Sequence, residues 1–401
     1  MRKSLLLLLI VLLFTTNLSA QTAQNSWKNS ISFDSGYMLG ANSNRAMRDF
    51  SLEYTKLIIS VQTRLQKTSI VRRSPLMNKV LPIVVHFALQ PVLLTYHEYG
   101  HASRAKAFGL DSEYSFFFDE SIKTDNFWEY FGYAFTKGFE GGYVNVTGNY
   151  YQNIPDNLTG INGSIILAAG GLNNNVQLSE TFEEDIYYNG GYRNYFLTYL
   201  TNKIQPAIYT AFEYKLPDGK GDPTAVEESY QAKGYDIEKK HFIMLNMISL
   251  FGSATFYKFL PGSSGRVTSS EYAGVRLPDT QLFFTHLGLS LKLNSGYALR
   301  KKGLFIPLSY ERVVIGQPSD EISAGIVKKM SFTTLGAKGY YNLQMNGQSF
   351  DLFTSIRFGR AFLTAGLSHY DSNTFFGIRD IPSYEDGGTN NEMWARGSLL
   401  F

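Results

Sequence analysis

The chain has 401 residues, a formal net charge of +3, 44% hydrophobic residues and no cysteine. A near-neutral charge gives no reason to expect a nucleic acid or other polyanion as partner. The missing thiols exclude disulfides, thiolate metal ligands and a lipoprotein anchor together.

In chain order, residues 1–20 read as a signal peptide. Met1-Arg2-Lys3 is a charged start, Leu5 to Phe14 an apolar core too short to span a bilayer, and Asn17-Leu18-Ser19-Ala20 a cut site leaving Gln21 first. A mainly helical region with a few strands is expected over 21–262. Within it Ser30–Leu39 and Tyr143–Tyr151 offer strands, and Arg45–Val71 an amphipathic helix ending in Arg72-Arg73. Val80 to Tyr96 carries no charge, and Pro82 and Pro91 each remove a helix hydrogen bond, so a kink or a second short helix is expected there.

That apolar stretch leads into His97-Glu98-Tyr99-Gly100-His101. On a helix, residues four apart share a face about 6 Å apart along the axis. Two imidazoles so placed can bind one zinc ion, and the adjacent glutamate can take a proton from a water that the ion polarises. This is the zincin arrangement. It assigns His97 and His101 as metal ligands, Glu98 as catalytic base and zinc as cofactor. The plain alternative is a solvated helix with a Glu/His pair, against which the apolar surroundings speak. His86 points the same way as His97 but about 16 Å further along the axis, so it reads as a buried, hydrogen-bonded histidine.

The residues from His97 to Gly109 resemble the site-2-protease-like metallopeptidases, whose pattern is HExGH, a small residue, an alanine one turn on and a closing glycine. Gly100 would let another backbone approach, Ala102 and Ala105 keep the neighbouring surface thin, and Gly109 would end the helix. A second fragment, Ala168-Ala169-Gly170-Gly171-Leu172-Asn173-Asn174, looks like that family's Ala-Gly-Pro-x-x-Asn helix, with Gly171 where proline is usual.

A catalytic zinc needs a third protein ligand. The resemblance implies an aspartate in a Leu-Asp-Gly context, for which Asp218 in Leu216-Pro217-Asp218-Gly219 is the candidate, although that stretch reads as an exposed turn. The residues themselves favour Glu180. Gly170, Asn173, Asn174, Gln177, Glu180 and Glu184 would form a polar stripe on an otherwise apolar helix, and such a stripe needs polar partners. Glu180 with Glu184 also looks like the glutamate helix of gluzincins. A helix simply leaving the core with its acids in water is the alternative.

Further on, Asn194–Tyr214 offers a helix, Asp222-Pro223 a cap with a first-turn proline, and His241–Leu260 an apolar segment. From 263 to 401 the texture changes to antiparallel strands. Leu287, Leu289, Leu291 and Leu293 alternate with Gly288, Ser290, Lys292 and Asn294. Phe350, Leu352, Thr354, Ile356 and Phe358 do the same, after a hairpin turn at Asn346-Gly347. Ala395, Gly397, Leu399 and Phe401 share one side of a last strand, and Asp371–Asn391 reads as a long polar extracellular loop. Strands of about ten residues, apolar outward and polar inward, match an outer-membrane barrel. The terminal Phe401 resembles the signal by which such barrels are inserted. A soluble β-sandwich has alternating strands too.

The fold expected is therefore α+β, a helical zincin-like core combined with an antiparallel outer-membrane-type barrel. The function expected is a zinc metalloprotease in the outer membrane of a Gram-negative bacterium, cutting outer-membrane or exported proteins, with its site facing the periplasm or the barrel interior. The helices are apolar but interrupted, which suits a precursor that must cross the inner membrane without stopping. An inner-membrane site-2-type protease, and a non-catalytic barrel subunit of an assembly or secretion complex, are the alternatives.

Overall fold

A computed structural model of the chain describes residues 30–34, 43–117, 119–137, 141–148, 154–216, 220–260, 266–381 and 389–400. The expected signal peptide, the candidate ligand Asp218 and the terminal Phe401 lie outside the described residues. The helices are α1 (Asn44–Lys67), α2 (Ser69–Arg72), α3 (Pro75–Ala107), α4 (Phe127–Lys137), α5 (Ile161–Ala168), α6 (Gly170–Asn189), α7 (Phe196–Phe212), α8 (Asp222–Ala232), α9 (Lys239–Phe251), α10 (Ala254–Phe259) and α11 (Phe375–Asp380). A small sheet pairs β2 (Asp111–Phe116) with β3 (Asp119–Thr124) and β4 (Gly142–Thr147), all following β1 (Ser30–Asp34). A two-stranded ribbon joins β5 (Gly191–Tyr192) to β6 (Arg266–Val267).

The histidine pair lies on α3, one helical span of 33 residues that runs through Pro82 and Pro91. Of the kink or second short helix expected, the separate helix does not form, because packing overrides the two lost hydrogen bonds: Leu89, Val92, Leu93, Tyr96 and Tyr99 are buried, and the helix packs on α1 and α6. Its end is as expected. Gly109 takes φ +75°, and the Leu110 N–H reaches back to the Ala105 carbonyl at 2.9 Å.

The remaining strands are β7 (Glu271–Tyr272), β8 (Val275–Thr285), β9 (Gly288–Leu299), β10 (Leu304–Gly316), β11 (Asp320–Lys329), β12 (Thr333–Asn342), β13 (Gln348–Phe358), β14 (Ala361–Asp371) and β15 (Thr389–Leu400). Successive antiparallel hairpins build a sheet of ten strands, ordered β1-β15-β14-β13-β12-β11-β10-β9-β8-β7. Its far edge comes from the N-terminal region, since Ser30 to Asp34 pair with Leu400 to Arg396. The strands therefore reach beyond the 263–401 segment that the sequence pattern marks.

The sheet's two faces carry the expected alternation. Leu308, Ile322, Ile326, Leu352 and Leu363 are exposed on one face. Lys292, Asn294, Glu311, Glu321 and Ser368 are buried on the other, beneath the helices. Leu289, at the covered end of β9, is buried under helices as well.

Closure into a barrel is not found: the sheet is open, and no described strand joins β1 to β7. Helices occupy the place of the missing neighbour. Along β8, the Asn173 side chain of α6 both donates to the Phe284 carbonyl (2.8 Å) and accepts from its N–H (2.9 Å), as a paired strand would. The Ser249 hydroxyl of α9 donates to the Thr280 carbonyl at 2.8 Å. A strand edge satisfied by helix side chains has no open bonds with which to close. The long polar loop expected over 371–391 is also partly corrected. It contains α11, whose Arg379 is buried and forms a two-pronged ion pair with Glu311 at 2.7 and 2.8 Å.

Candidate metal centre

The helices α3 and α6 cross at a point where both backbones lack side chains. A Cβ on Gly100 would fall 2.3 Å from the Gly170 carbonyl oxygen, and one on Gly170 would fall 2.5 Å from that of Gly100. Gly100 thus has the role expected of it. The crossing brings the Asn173-Asn174-Asn175 run of α6 against the metal helix, and each amide has a separate task. Asn173 binds the β8 edge, as above. Asn174 donates to the Tyr96 carbonyl at 2.8 Å and accepts from Arg104 at 2.8 Å, locking the helices in register. Asn175 turns its oxygen to His97 Nδ1 at 2.6 Å while its Nδ2 donates to Asn202 Oδ1 at 3.0 Å.

His101 Nδ1 lies 2.8 Å from the Leu167 carbonyl, which can only accept. Both Nδ1 atoms therefore carry a proton, and each Nε2 is the position left for a second proton or a metal ion. Burial would lower both imidazoles, but the facing Asp222 carboxylate outweighs it and raises both above the usual imidazole range. The two Nε2 atoms converge on one oxygen, Asp222 Oδ2, at 2.9 Å from His97 and 3.0 Å from His101. Three lone-pair atoms in contact repel unless a cation or two extra protons lie among them. Four-coordinate zinc keeps neighbouring ligand atoms about 3.4 Å apart, so a small adjustment would admit it. The donor set of two imidazoles and one carboxylate thus fits a catalytic zinc with an open position, and both rings have the outer hydrogen bonds that fix a ligand's tautomer.

Space at the site comes from Gly171. A Cβ there would lie 2.4 Å from His97 Nε2 and 2.5 Å from His101 Nε2. Burial of Asp222 would raise its carboxyl, but His101 and His97 outweigh this and hold it below the usual carboxylate range. Glu98 is buried at 3% exposure on the same helix, within the electrostatic reach of both histidines and Asp222. The Tyr209 ring flanks His97, with centroids 5.8 Å apart.

The structure thus brings together His97, Glu98 and His101, and adds Asp222 as the third group. It does not bring Glu180 to them. The Glu180 carboxylate pairs with Lys292 at 2.6 Å and accepts from Asn294 at 2.9 Å, both on β9. The polar stripe of α6 does have polar partners: the inner face of the sheet for Glu180 and Glu184, Asp380 and Asn44 for Gln177, the β8 edge for Asn173 and α3 for Asn174. His86 is hydrogen-bonded away from the site, to Gln90 at 3.0 Å. Asp222 had a visible local signal, an acid before a first-turn proline, but that pattern reads equally as a helix cap. Tyr209 had none.

No family model matches the chain, and no curated protein or solved structure is similar to it.

Proposed function

We propose that this protein is a zinc-dependent metallopeptidase embedded in the bacterial outer membrane, hydrolysing peptide bonds in outer-membrane or exported proteins. The observation that carries the reading is the convergence of His97 and His101 Nε2 on Asp222 Oδ2, with Glu98 beside them. Zinc, when bound by His97, His101 and Asp222, would supply Lewis acidity to water and to the scissile carbonyl. Glu98 would take the proton of the attacking water as the new carbon–oxygen bond forms. It would then deliver that proton to the amide nitrogen as the carbon–nitrogen bond breaks. Burial of the site keeps bulk water from competing and strengthens each of these charges.

The membrane part of the reading is supported by the sheet. Strands β8 to β14 turn apolar side chains such as Leu308, Ile326, Leu352 and Leu363 outward, while Lys292, Glu311 and Glu321 are buried on the inner face, the inverse of a water-soluble sheet and the pattern of a lipid-facing wall. The adjoining helices continue it, with Leu76, Ile83 and Phe87 exposed on α3 and Met244, Ile248 and Phe251 exposed on α9. Such a hybrid wall replaces the fully closed barrel expected. An inner-membrane protease is the second reading, favoured by Lys79–Ala107, the one described helix long and apolar enough to cross a bilayer. Membrane fractionation of cells separates the two.

Glu98→Gln tests the enzymatic claim. It should keep the fold and the metal while losing on the order of 10² to 10⁴ in peptide hydrolysis. A variant as active as the native protein refutes the role of Glu98. Failure of the native protein to bind zinc refutes the whole reading in favour of a non-catalytic membrane subunit.

A further inference from the structure

Asp222 is the first residue of α8, and an aspartate there ordinarily turns back to accept from its own helix's free N–H groups. Here it reaches away to two imidazoles, so something else must serve those donors. Gly221, the residue before it, has no side chain with which to cap. The acceptor comes from another helix. Glu213, at the end of α7, is buried at 2% exposure, and its Oε1 accepts from the Thr224 N–H (2.9 Å) and the Gly221 N–H. Pro223 has no N–H to satisfy. The Gly221 and Thr224 donors at the start of α8 are thereby met without using the Asp222 side chain.

The Glu213 carboxylate is itself held. Its Oε2 pairs with Lys239 Nζ at 2.7 Å, and the same ammonium donates to the Thr224 hydroxyl. Lys239 opens α9, so one ion pair ties the ends of three helices to the turn that presents Asp222.

We infer that Glu213, anchored by Lys239, is a positioning residue for the metal centre: it caps the first turn of α8 from outside and so frees Asp222 to act as the third ligand. This rests on the metal reading above. A carboxylate supporting a ligand's backbone in this way should be worth about 10- to 100-fold in metal affinity.

The test measures zinc affinity of the detergent-solubilised full chain by chelator competition, together with the visible spectrum of the cobalt(II)-loaded form and the melting temperature of the metal-free form. Glu213→Ala should weaken zinc binding 10- to 100-fold and change the cobalt spectrum as Asp222 withdraws. Glu213→Gln retains one oxygen acceptor and should fall between that variant and the native protein, which keeps the comparison available if Glu213→Ala does not fold. Glu227→Ala serves as control. It removes an acceptor from the Lys239 N–H (2.9 Å) without touching the turn of Asp222, and should leave zinc affinity unchanged. A purely structural Glu213 would lower the melting temperature while leaving affinity and spectrum at native values, and that result overturns the inference with the metal centre intact. Native protein that binds no zinc overturns the metal reading instead.

Discussion

Gly171→Ala is the sharpest perturbation that the site allows, because it adds one methyl group where two ligand atoms converge. The new Cβ would lie 2.4 and 2.5 Å from the two Nε2 atoms, against an ordinary carbon–nitrogen contact of about 3.5 Å. Both rings must therefore retreat by about 1 Å. In the metal-free protein they can swing aside and relieve most of the strain, but metal binding needs both nitrogens back. The overpacking cost of about 1–3 kcal/mol then appears mainly as lost affinity, roughly 5- to 150-fold in the zinc dissociation constant. Chelator competition on purified protein measures this directly. Gly132→Ala is the matched control. Its Cβ meets nothing within 4 Å on α4, so affinity should be unchanged and the helix stabilised by up to about 1 kcal/mol. Native zinc affinity in Gly171→Ala would show that the ion does not sit between these imidazoles.

Three further outcomes are expected. Asp222→Asn should abolish tight zinc binding, whereas Glu180→Gln should leave it intact and instead cost about 3–5 kcal/mol in stability by stranding the buried Lys292; the reverse result on the two zinc titrations would restore Glu180 as the ligand. Ile326→Arg, on the exposed face of β11, should destabilise the membrane-inserted protein by about 2–4 kcal/mol, while a change of at most about 0.5 kcal/mol would indicate that this face meets water. Asn173→Leu leaves the N–H and carbonyl of Phe284 unpaired at the β8 edge, so it should cost about 1–3 kcal/mol for each group, read by denaturant titration; a neutral result would remove the explanation given for the open sheet.

The sequence alone determined whatever depends on neighbours along the chain. Helical spacing placed His97, Glu98 and His101 on one helix, and period-two alternation marked β9, β13 and β15 within the strand region. Gly109 stopped the metal helix because only a left-handed residue closes that turn without strain. The hairpin at Asn346-Gly347 likewise followed from local chemistry, with Asn346 at φ +60°.

Only the tertiary structure decided the rest, because those choices rest on partners far away in the chain. Glu180 and Asp222 are both acids on helices, and nothing local separates an acid that meets two imidazoles from one that meets a lysine. What separates them is Lys292 on β9 opposite the first and two imidazoles on α3 opposite the second. The prolines of α3 signalled a break, yet packing on both sides keeps one helix. The same holds for the sheet. Alternation says which face of a strand is apolar, but closure depends on what meets its edge, and Asn173 and Ser249 from two helices meet that of β8. A strand pattern carries no record of its edge partner, since backbone hydrogen bonds are the same whichever side chains flank them.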